Sequence, residues 1–417
     1  MLLTERQEPR RKGRRRRASP PPAPFLPADP FEGAEILEEL PDLYEDLLWQ
    51  AARDVQLWVT VHPANRSGLF RNEQIADRDR VARICPELIS AFKAIGVLRV
   101  RPEGADVKSI SSACQLCYDW ARRNDYLVTA ATFAELAAWA TPQDSTLATA
   151  AGRANRHAGA FARAKRWFDR AIALARRTGD QTAYAEALLT WGNMAFQRAE
   201  YGAARTLFAR AWRKGRRYNL REMGAAARHN LMALEFTLGD HAAANEHGAA
   251  AFALYGRASE RLPFLAHDIA HLWTTEGYCE LALRLLLASE PLITAPGEKL
   301  KVWANIGRAA AGAGRDDLFF EAWDRVSHES RTSSSPHLPE ALVAIAEGSH
   351  SLGRSAQAAG MAERAVKAAR KHKHGDAEQL ALAALEKIRS GEAPPPAVDP
   401  PDFALALAAR LLRALTR

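Results

Sequence analysis

Side chains able to do chemistry are sparse in this chain of 417 residues, and two cysteines are the most suggestive. Cys114 and Cys117 have the CxxC spacing of redox motifs and zinc sites. A zinc ion needs two further ligands, and no second CxxC or HxxxH pair lies near them. We therefore interpret these thiols as small buried packing residues and expect no metal and no cofactor. The chain has only 4 cysteines, too few for a disulfide scaffold, so a reducing compartment is the default expectation.

Histidines and paired carboxylates give little further indication of metal binding or catalysis. His372 and His374 alternate with lysines in KHKHGD, and positions two apart on a helix face different directions, so we interpret them as a solvated basic helix end. Asp316 and Asp317 fall at a predicted turn, where solvated acids are ordinary. The sequence has no nucleophile elbow, no phosphate-cradling glycine loop and no HExxH. These observations argue against an enzyme.

Positive charge is concentrated at the N-terminus. The formal net charge is +8, and residues 1–18 hold eight Lys and Arg against two Glu, so the rest of the chain is nearly neutral. Such a run favours contact with phosphates, although no interleaved aromatic ring implies sequence-specific recognition. An import-like signal, an anionic membrane and the acids at 29–48 are the other interpretations. The candidate nucleic-acid or anion contacts are Arg10, Arg11, Lys12, Arg14, Arg15, Arg16 and Arg17.

The apolar residues do not form a membrane segment. No run of about eighteen apolar residues occurs, and prolines follow the basic run where a signal peptide would have its apolar stretch. We therefore expect a cytoplasmic protein without a transmembrane segment.

Helix-forming residues dominate and β-branched residues are sparse, which predicts an all-α protein. A small residue recurs at intervals of 37 to 40 positions, and a glycine usually precedes it by five. Self-similarity at this spacing is typical of a solenoid of helical hairpins, in which glycine ends the first helix and small residues let neighbouring helices approach. Seven repeats are predicted. The recurring position is occupied by Ala164, Ala204, Ala244, Ala282, Phe319 and Ala358.

The register resembles the tetratricopeptide repeat family. WGNMAFQRAEYGAARTLFARA (191–211) and LMALEFTLGDHAAANEHGAAA (231–251) carry its pattern of a large residue, a turn, a small residue and an aromatic one. The period of about forty residues is similar to the subclass of bacterial regulators and kinesin light chains. Three positions depart from the pattern, namely Ala199 at the turn, Gly248 at the aromatic position and Phe319 at the small one. The resemblance implies a right-handed α-solenoid whose concave groove, lined by the first helix of each repeat, binds a peptide or a partner protein.

The same register assigns polar residues to the groove. Asn193 and Asn230 resemble part of the family's carboxylate clamp, in which amides and cations hold a peptide's C-terminal carboxylate. The cations of that clamp are absent near Leu189 and Ala226, so the full clamp is not present. The candidate binding residues are Arg153, Arg156, His157, Glu186, Asn193, Gln197, His229, Asn230, His267, His271, Lys301, Asn305 and Arg308.

Composition divides the chain into five segments. We predict a disordered basic and proline-rich tail (1–31), an N-terminal helical region (32–105), the solenoid with a capping helix (106–390), a proline-rich linker (391–401) and a C-terminal amphipathic helix (402–417). The second segment is either a cap on the first repeat or a weakly winged-helix-like unit whose VLRVRP (97–102) forms a strand. The last helix either folds back onto the solenoid or binds a membrane or a partner.

Taken together, these features predict a non-catalytic protein-interaction scaffold. The alternative is a transcriptional regulator that contacts DNA through its N-terminal region and senses a partner with the solenoid.

Overall fold

A computed structural model describes residues 34–41, 44–70, 85–331, 335, 337–394 and 396–416. The described residues form helices and turns, and no strand occurs among them. The basic run and most of the proline-rich stretch that follows it lie outside these ranges.

Among the described residues, three α-helices precede the repeats, and hairpins of two antiparallel helices follow. The first three are α1 (Ala34–Glu39), α2 (Glu45–Thr60) and α3 (Ile89–Val100). Seven hairpins then follow, each with a first helix (A) and a second helix (B). They are α4–α5 (Val107–Arg123, Leu127–Ala140), α6–α7 (Ser145–His157, Phe161–Thr178), α8–α9 (Gln181–Gln197, Tyr201–Arg217), α10–α11 (Arg221–Thr237, His241–Tyr255), α12–α13 (Leu262–Thr275, Cys279–Ser289), α14–α15 (Pro296–Gly312, Asp316–Glu329) and α16–α17 (Leu338–Ser351, Ser355–Lys371). A capping helix α18 (Gly375–Ser390) and a terminal helix α19 (Asp402–Leu415) complete the chain.

Small residues nest against large ones inside each hairpin, as the repeat register predicts. A Cβ atom added at Gly192 in α8 would lie 2.4 Å from Cε1 of Phe208 in α9. The same relation recurs one repeat earlier, where a Cβ at Gly152 would lie 2.4 Å from Cε1 of Phe168. Both rings are buried. The glycines therefore set how closely the two helices of a hairpin can approach.

The departures from the repeat pattern are accommodated locally. Ala199 adopts the left-handed conformation of the turn glycine, with φ of 60°, although an alanine is strained there. Phe319 occupies a position that is alanine in most repeats, and glycines give it room. A Cβ at Gly348 in the next hairpin would lie 3.0 Å from its ring. At this position the helices still pack closely, because the larger Phe319 is compensated by a small residue in the neighbouring helix.

The N-terminal helices are joined to the first hairpin. The carboxylate of Glu39 accepts hydrogen bonds from the backbone N–H groups of Val128 and Thr129, at 2.8 and 2.7 Å, where α5 begins. Arg99 of α3 pairs with Asp54 of α2 at 2.5 Å, and both side chains are largely buried. Because α3 continues to Val100, the expectation of a strand in VLRVRP is wrong. The winged-helix interpretation therefore lacks the strand on which it depended.

The C-terminal segment folds back onto the middle of the array. The backbone N–H of Val398 donates to the carbonyl of Gly277 at 3.1 Å, and α19 then packs on α12 and α13. Leu407 and Leu411 are buried in this contact, and Arg410 lies over the ring of Phe252 at 5.0 Å. Of the two interpretations of this helix, folding back is the one that the structure shows. None of the helices in the described ranges combines the length and apolarity that a membrane span requires.

The array also curves until its end meets the second and third hairpins. The capping helix α18 contacts α8, and a Cβ at Gly375 would lie 3.3 Å from the backbone of Arg198. A Cβ at Gly159 in the second hairpin would lie 3.4 Å from the Lys373 side chain. His372 and His374 are only partly exposed, and His374 caps α18 by accepting from the Ala377 N–H at 3.1 Å. Lys371 and Lys373 are exposed at the end of α17, so the expectation of a solvated basic helix end for KHKHGD holds for the lysines and is wrong for the histidines.

Candidate functional site

The concave side of the array is formed by the A helices. Neighbouring A helices pack directly against one another, as α6 does with α8 and α14 with α16. Closer packing on one side than on the other is what bends a helical array, so the A helices line the inside of the curve. The thirteen residues that the register assigned to the groove all lie on five consecutive A helices, namely α6, α8, α10, α12 and α14.

The first part of the groove is a ladder of paired polar groups. Arg153 of α6 contacts Glu186 of α8 at 2.8 Å. Further along the same helices, Nη1 of Arg156 donates to Oε1 of Gln197 at 3.0 Å. The side-chain amide of Asn230 in α10 donates to Oδ1 of Asn193 in α8 at 2.9 Å. These contacts hold the side chains in place between repeats.

Arg156 is the cation of this region that lacks an acidic partner. Its Nη2 contacts the imidazole of His157 at 2.8 Å, and its Nε makes no hydrogen bond within the described part of the chain. Burial, followed by the nearby charge of Arg153, lowers the pKa of Arg156 to about 10. Burial and these same cations hold the pKa of His157 well below its ordinary value, so that its ring is neutral. The pair therefore presents an uncompensated positive charge to the groove.

Asp268 organises the middle of the groove. Its carboxylate contacts Nε2 of His229 at 2.9 Å, Nδ1 of His267 at 2.8 Å and Nζ of Lys301 at 3.8 Å. Burial alone would raise the pKa of Asp268, but the charge of Lys301 and the hydrogen bonds from both histidines outweigh burial and lower it well below its ordinary value. Asp268 is therefore ionised, and it fixes side chains from three successive A helices.

His271 and Asn305 form a neutral polar pair beside this cluster. Nδ1 of His271 lies 3.0 Å from Oδ1 of Asn305, whose amide nitrogen lies 2.9 Å from Nε2 of His267. Burial, and then the charge of Arg308, lowers the pKa of His271 to about 3, so its ring stays neutral. Arg308 itself is paired with Glu347 of α16 at 2.7 Å.

Four groove residues escaped the sequence-based assignment besides Asp268. His337 lies 3.3 Å from Glu298 and 3.6 Å from Glu340, and Lys301 lies 3.8 Å from Glu340. Burial lowers the pKa of His337, but the two carboxylates outweigh it and raise that pKa to about 9. Glu298, His337 and Glu340 lie at the starts of the A helices of the last two hairpins, and Glu347 lies in the second half of α16. Glu340 and Glu347 stand 39 positions after Lys301 and Arg308, as Ala358 does after Phe319, so the repeat register could have found these two.

The remaining candidates carry no reaction chemistry. Cys114 and Cys117 are fully buried, as expected for packing residues, and burial raises the pKa of both thiols. Across the described ranges, no group of three or more His, Cys, Asp or Glu is arranged to hold a metal ion. The arginines and the lysine of the basic N-terminal run, from Arg10 to Arg17, lie outside the described residues.

Comparison with known proteins adds two distant structural likenesses. No known protein family matches this chain, and no curated protein does. One similar structure is a Rap protein complexed with competence and sporulation factor, at 13% identity and a TM-score of 0.39, covering 86% of this chain and 98% of that chain. Another is the APC/C hetero-tetramer Cut9–Hcn1, at 14% identity and a TM-score of 0.45, covering 85% of this chain and 58% of that chain. At such identity the likeness concerns the fold alone.

The order and pairing of the described helices, and not these likenesses, carry the conclusion about the fold. The chain is an all-helical solenoid of tetratricopeptide-like hairpins, and its groove brings the assigned polar residues together. The longer-period subclass stays a prediction.

Proposed function

We propose that the protein is a non-catalytic scaffold that binds an extended segment of a partner protein in the concave groove. The observation that carries the proposal is the groove's lining, which is polar along six consecutive A helices, from α6 to α16, and of which several charged side chains are partly exposed. Lys301, Glu340 and Glu186 are 22%, 27% and 31% exposed. A face that packing alone had shaped would bury apolar residues instead.

The chemistry of the lining suits an extended peptide. Asn193 and Asn230 are partly exposed and carry amides that both donate and accept, as the backbone of an extended chain requires. The ion pairs around Asp268 and Glu340 hold their side chains before a partner arrives, which reduces the ordering cost of binding.

Arg156 gives the groove its preference for an acidic group. A cation without a carboxylate partner is costly in a partly desolvated site, and a ligand carboxylate would compensate it through a charge-assisted hydrogen bond. The partner segment is therefore expected to place an acidic side chain or a C-terminal carboxylate near Arg156.

The test is selection of peptides by the immobilised full-length protein from a displayed random library, followed by binding of the selected peptides in solution. The variant Asn193→Ala with Asn230→Ala should lose binding. The matched control is Glu246→Ala with Glu280→Ala on the exposed surfaces of B helices, which should keep it. Peptides that bind the groove variant and the control equally would contradict the proposal.

The alternative of a DNA-contacting regulator stays a prediction, as does the cytoplasmic location. The regulator interpretation depends on the N-terminal region up to residue 105, of which residues 34–41, 44–70 and 85–105 are described.

A further inference from the structure

A cationic cleft lies on the outer side of the third hairpin, away from the groove. It has a volume of about 650 Å³ and is lined by Tyr184 of α8 and by Arg210, Arg213, Lys214, Arg216 and Arg217 of α9. Arg176 and Arg177 extend the positive surface from the end of α7, since Arg176 reaches the Tyr184 hydroxyl at 3.2 Å. One small region thus collects seven cations, while the chain without its N-terminal tail is nearly neutral.

Within the described part of the chain, none of these seven cations is paired with a carboxylate. Arg210 donates to the Tyr184 hydroxyl at 3.0 Å, Lys214 to Gln181 at 3.1 Å and Arg177 to Gln143, all of which are neutral acceptors. The nearest acid in sequence, Asp180, accepts from the Ala183 N–H as the cap of α8. Cations at helix ends complement helix dipoles, but that effect reaches only the last turn and does not require so many. The positive charge of the cleft is therefore available to a ligand.

The field of the cleft acts on Tyr184. Burial raises the pKa of its phenol, but hydrogen bonds from Arg176 and Arg210 and the charges of both arginines outweigh burial, so the pKa is lowered. A group at this position is thus biased toward its anionic form. The same field would attract an anion from solution.

Aromatic rings accompany the cations. Tyr218, directly after α9, is 41% exposed, and Lys214 and Arg217 lie 5.1 and 5.6 Å from its ring centre. Six of the seven cations are arginines, whose planar guanidinium groups match phosphate oxygens in two-point contacts. An interface with a folded acidic protein would need an apolar centre, and the residues that line the cleft provide none beyond the Tyr184 ring. Arginines with an exposed ring are typical of surfaces that bind single-stranded nucleic acid.

The size of the surface fits a short stretch of such a strand. Arg210 and Arg217 are seven positions apart on one helix, which corresponds to about 10 Å. Arg176 and Arg177 widen the surface across the neighbouring hairpin. This area suits a few consecutive phosphates.

We propose that this cleft binds the phosphate backbone of a single-stranded nucleic acid, with Tyr218 beside it as a stacking platform for a base. The inference does not depend on the concave groove, so either proposal can fail without the other.

The test uses the full-length chain with Arg14, Arg15, Arg16 and Arg17 changed to alanine, so that the basic tail does not mask the cleft. Binding of a fluorescently labelled oligothymidylate is followed by anisotropy at several salt concentrations. Changing Arg213, Arg216 and Arg217 to alanine should weaken binding at least about tenfold at low salt and reduce the slope of log affinity against log salt by about 2. All three side chains are exposed, so the thermal melting curve should not change.

Control variants separate the cleft from general charge. Arg257→Ala with Arg284→Ala and Lys367→Ala removes the same number of exposed cations elsewhere and should leave binding unchanged. Tyr218→Ala should weaken binding about fivefold or more, and Tyr218→Phe should retain it.

Three results would overturn the proposal. One is equal binding by the cleft variant and the control variant. Another is tighter binding of a duplex of the same length than of the single strand, which would remove the stacking assignment. The last is displacement of the oligonucleotide by polyglutamate at equal charge concentration, which would point to an acidic protein instead.

Discussion

The phenol of Tyr201 donates a hydrogen bond to Oδ1 of Asp376 at 2.8 Å, although 175 positions separate the two residues. Tyr201 begins α9 in the third hairpin, and Asp376 lies in the first turn of the capping helix. The bond therefore joins the end of the array to its first half. Gln379 lies 3.0 Å from the same hydroxyl. This contact closes the curve around the groove.

The closing contact is expected to depend on pH. Burial raises the pKa of Asp376 from 3.8 to about 7. The folded state thus holds the proton more tightly than the unfolded state, and the stability that this gives is present below the unfolded pKa and is lost as pH rises through about 7. Asp376→Asn cannot ionise and should melt a few degrees higher than the wild type near pH 8. Its advantage should shrink toward about pH 4, as followed by circular dichroism.

The control for that prediction is Asp324→Asn, which changes an exposed carboxylate on α15. Equal pH profiles for Asp376→Asn and the wild type would contradict the role of the buried carboxylate.

The pKa of His337 is shifted upward, whereas the pKa of a buried neutral histidine is shifted downward, so the two should affect the pH dependence of stability differently. Glu298 and Glu340 raise the pKa of His337 from 6.5 to about 9 against the effect of burial. Its contribution to stability is present below the unfolded pKa and is lost as pH rises through about 9. The wild type should therefore lose more thermal stability than His337→Gln between about pH 7 and pH 10. His328→Gln, at an exposed position, should behave like the wild type.

Nesting in the hairpins can be tested at Gly192. Gly192→Ala places a methyl group 2.4 Å from Phe208, so we expect a loss of roughly 1–3 kcal/mol in the free energy of unfolding. Phe208→Leu should recover part of that loss in the double variant, and the coupling is measured by a double-mutant cycle. At Gly360 in α17 an added Cβ meets nothing within 4 Å, so Gly360→Ala should stabilise by about 0.5–1 kcal/mol.

Replacing Arg156 should raise the stability of the free protein and lower its affinity for a peptide. Arg156→Met removes a cation without a carboxylate partner, so we expect the melting temperature to rise in the absence of a partner. Affinity for a selected acidic peptide should fall at the same time. Arg153→Met is the matched control, since it deprives Glu186 of its partner and should not stabilise. A lower melting temperature for Arg156→Met than for Arg153→Met would contradict this account.

The repeat architecture was predictable because its determinants are local. Gly192 and Phe208 are sixteen positions apart, and their difference in volume can be read from the sequence. The groove residues of α6 to α14 followed from the same register. Their pairing into a ladder agrees with the register between α6 and α10 and between α12 and α14.

The closure and the place of His337 in the groove could not be predicted. Small rotations between hairpins accumulate along the array, so no local pattern shows that Asp376 returns to Tyr201. His337 follows residues 332–334 and 336, which lie outside the described ranges, and no assigned groove residue occupies its position in any other repeat. The strand expected in VLRVRP was wrong because β-branched residues are also compatible with a short helix that packs on α2 and α4.

Helical arrays without a contact like that between Tyr201 and Asp376 can fray from either terminus, one hairpin after another. Here the capping helix α18 rests on the third hairpin, and the segment that follows α18 is hydrogen-bonded to the turn at Gly277. Melting of the final hairpin would therefore remove support from the middle of the molecule. The described part of the chain is expected to unfold in a single cooperative transition rather than in steps.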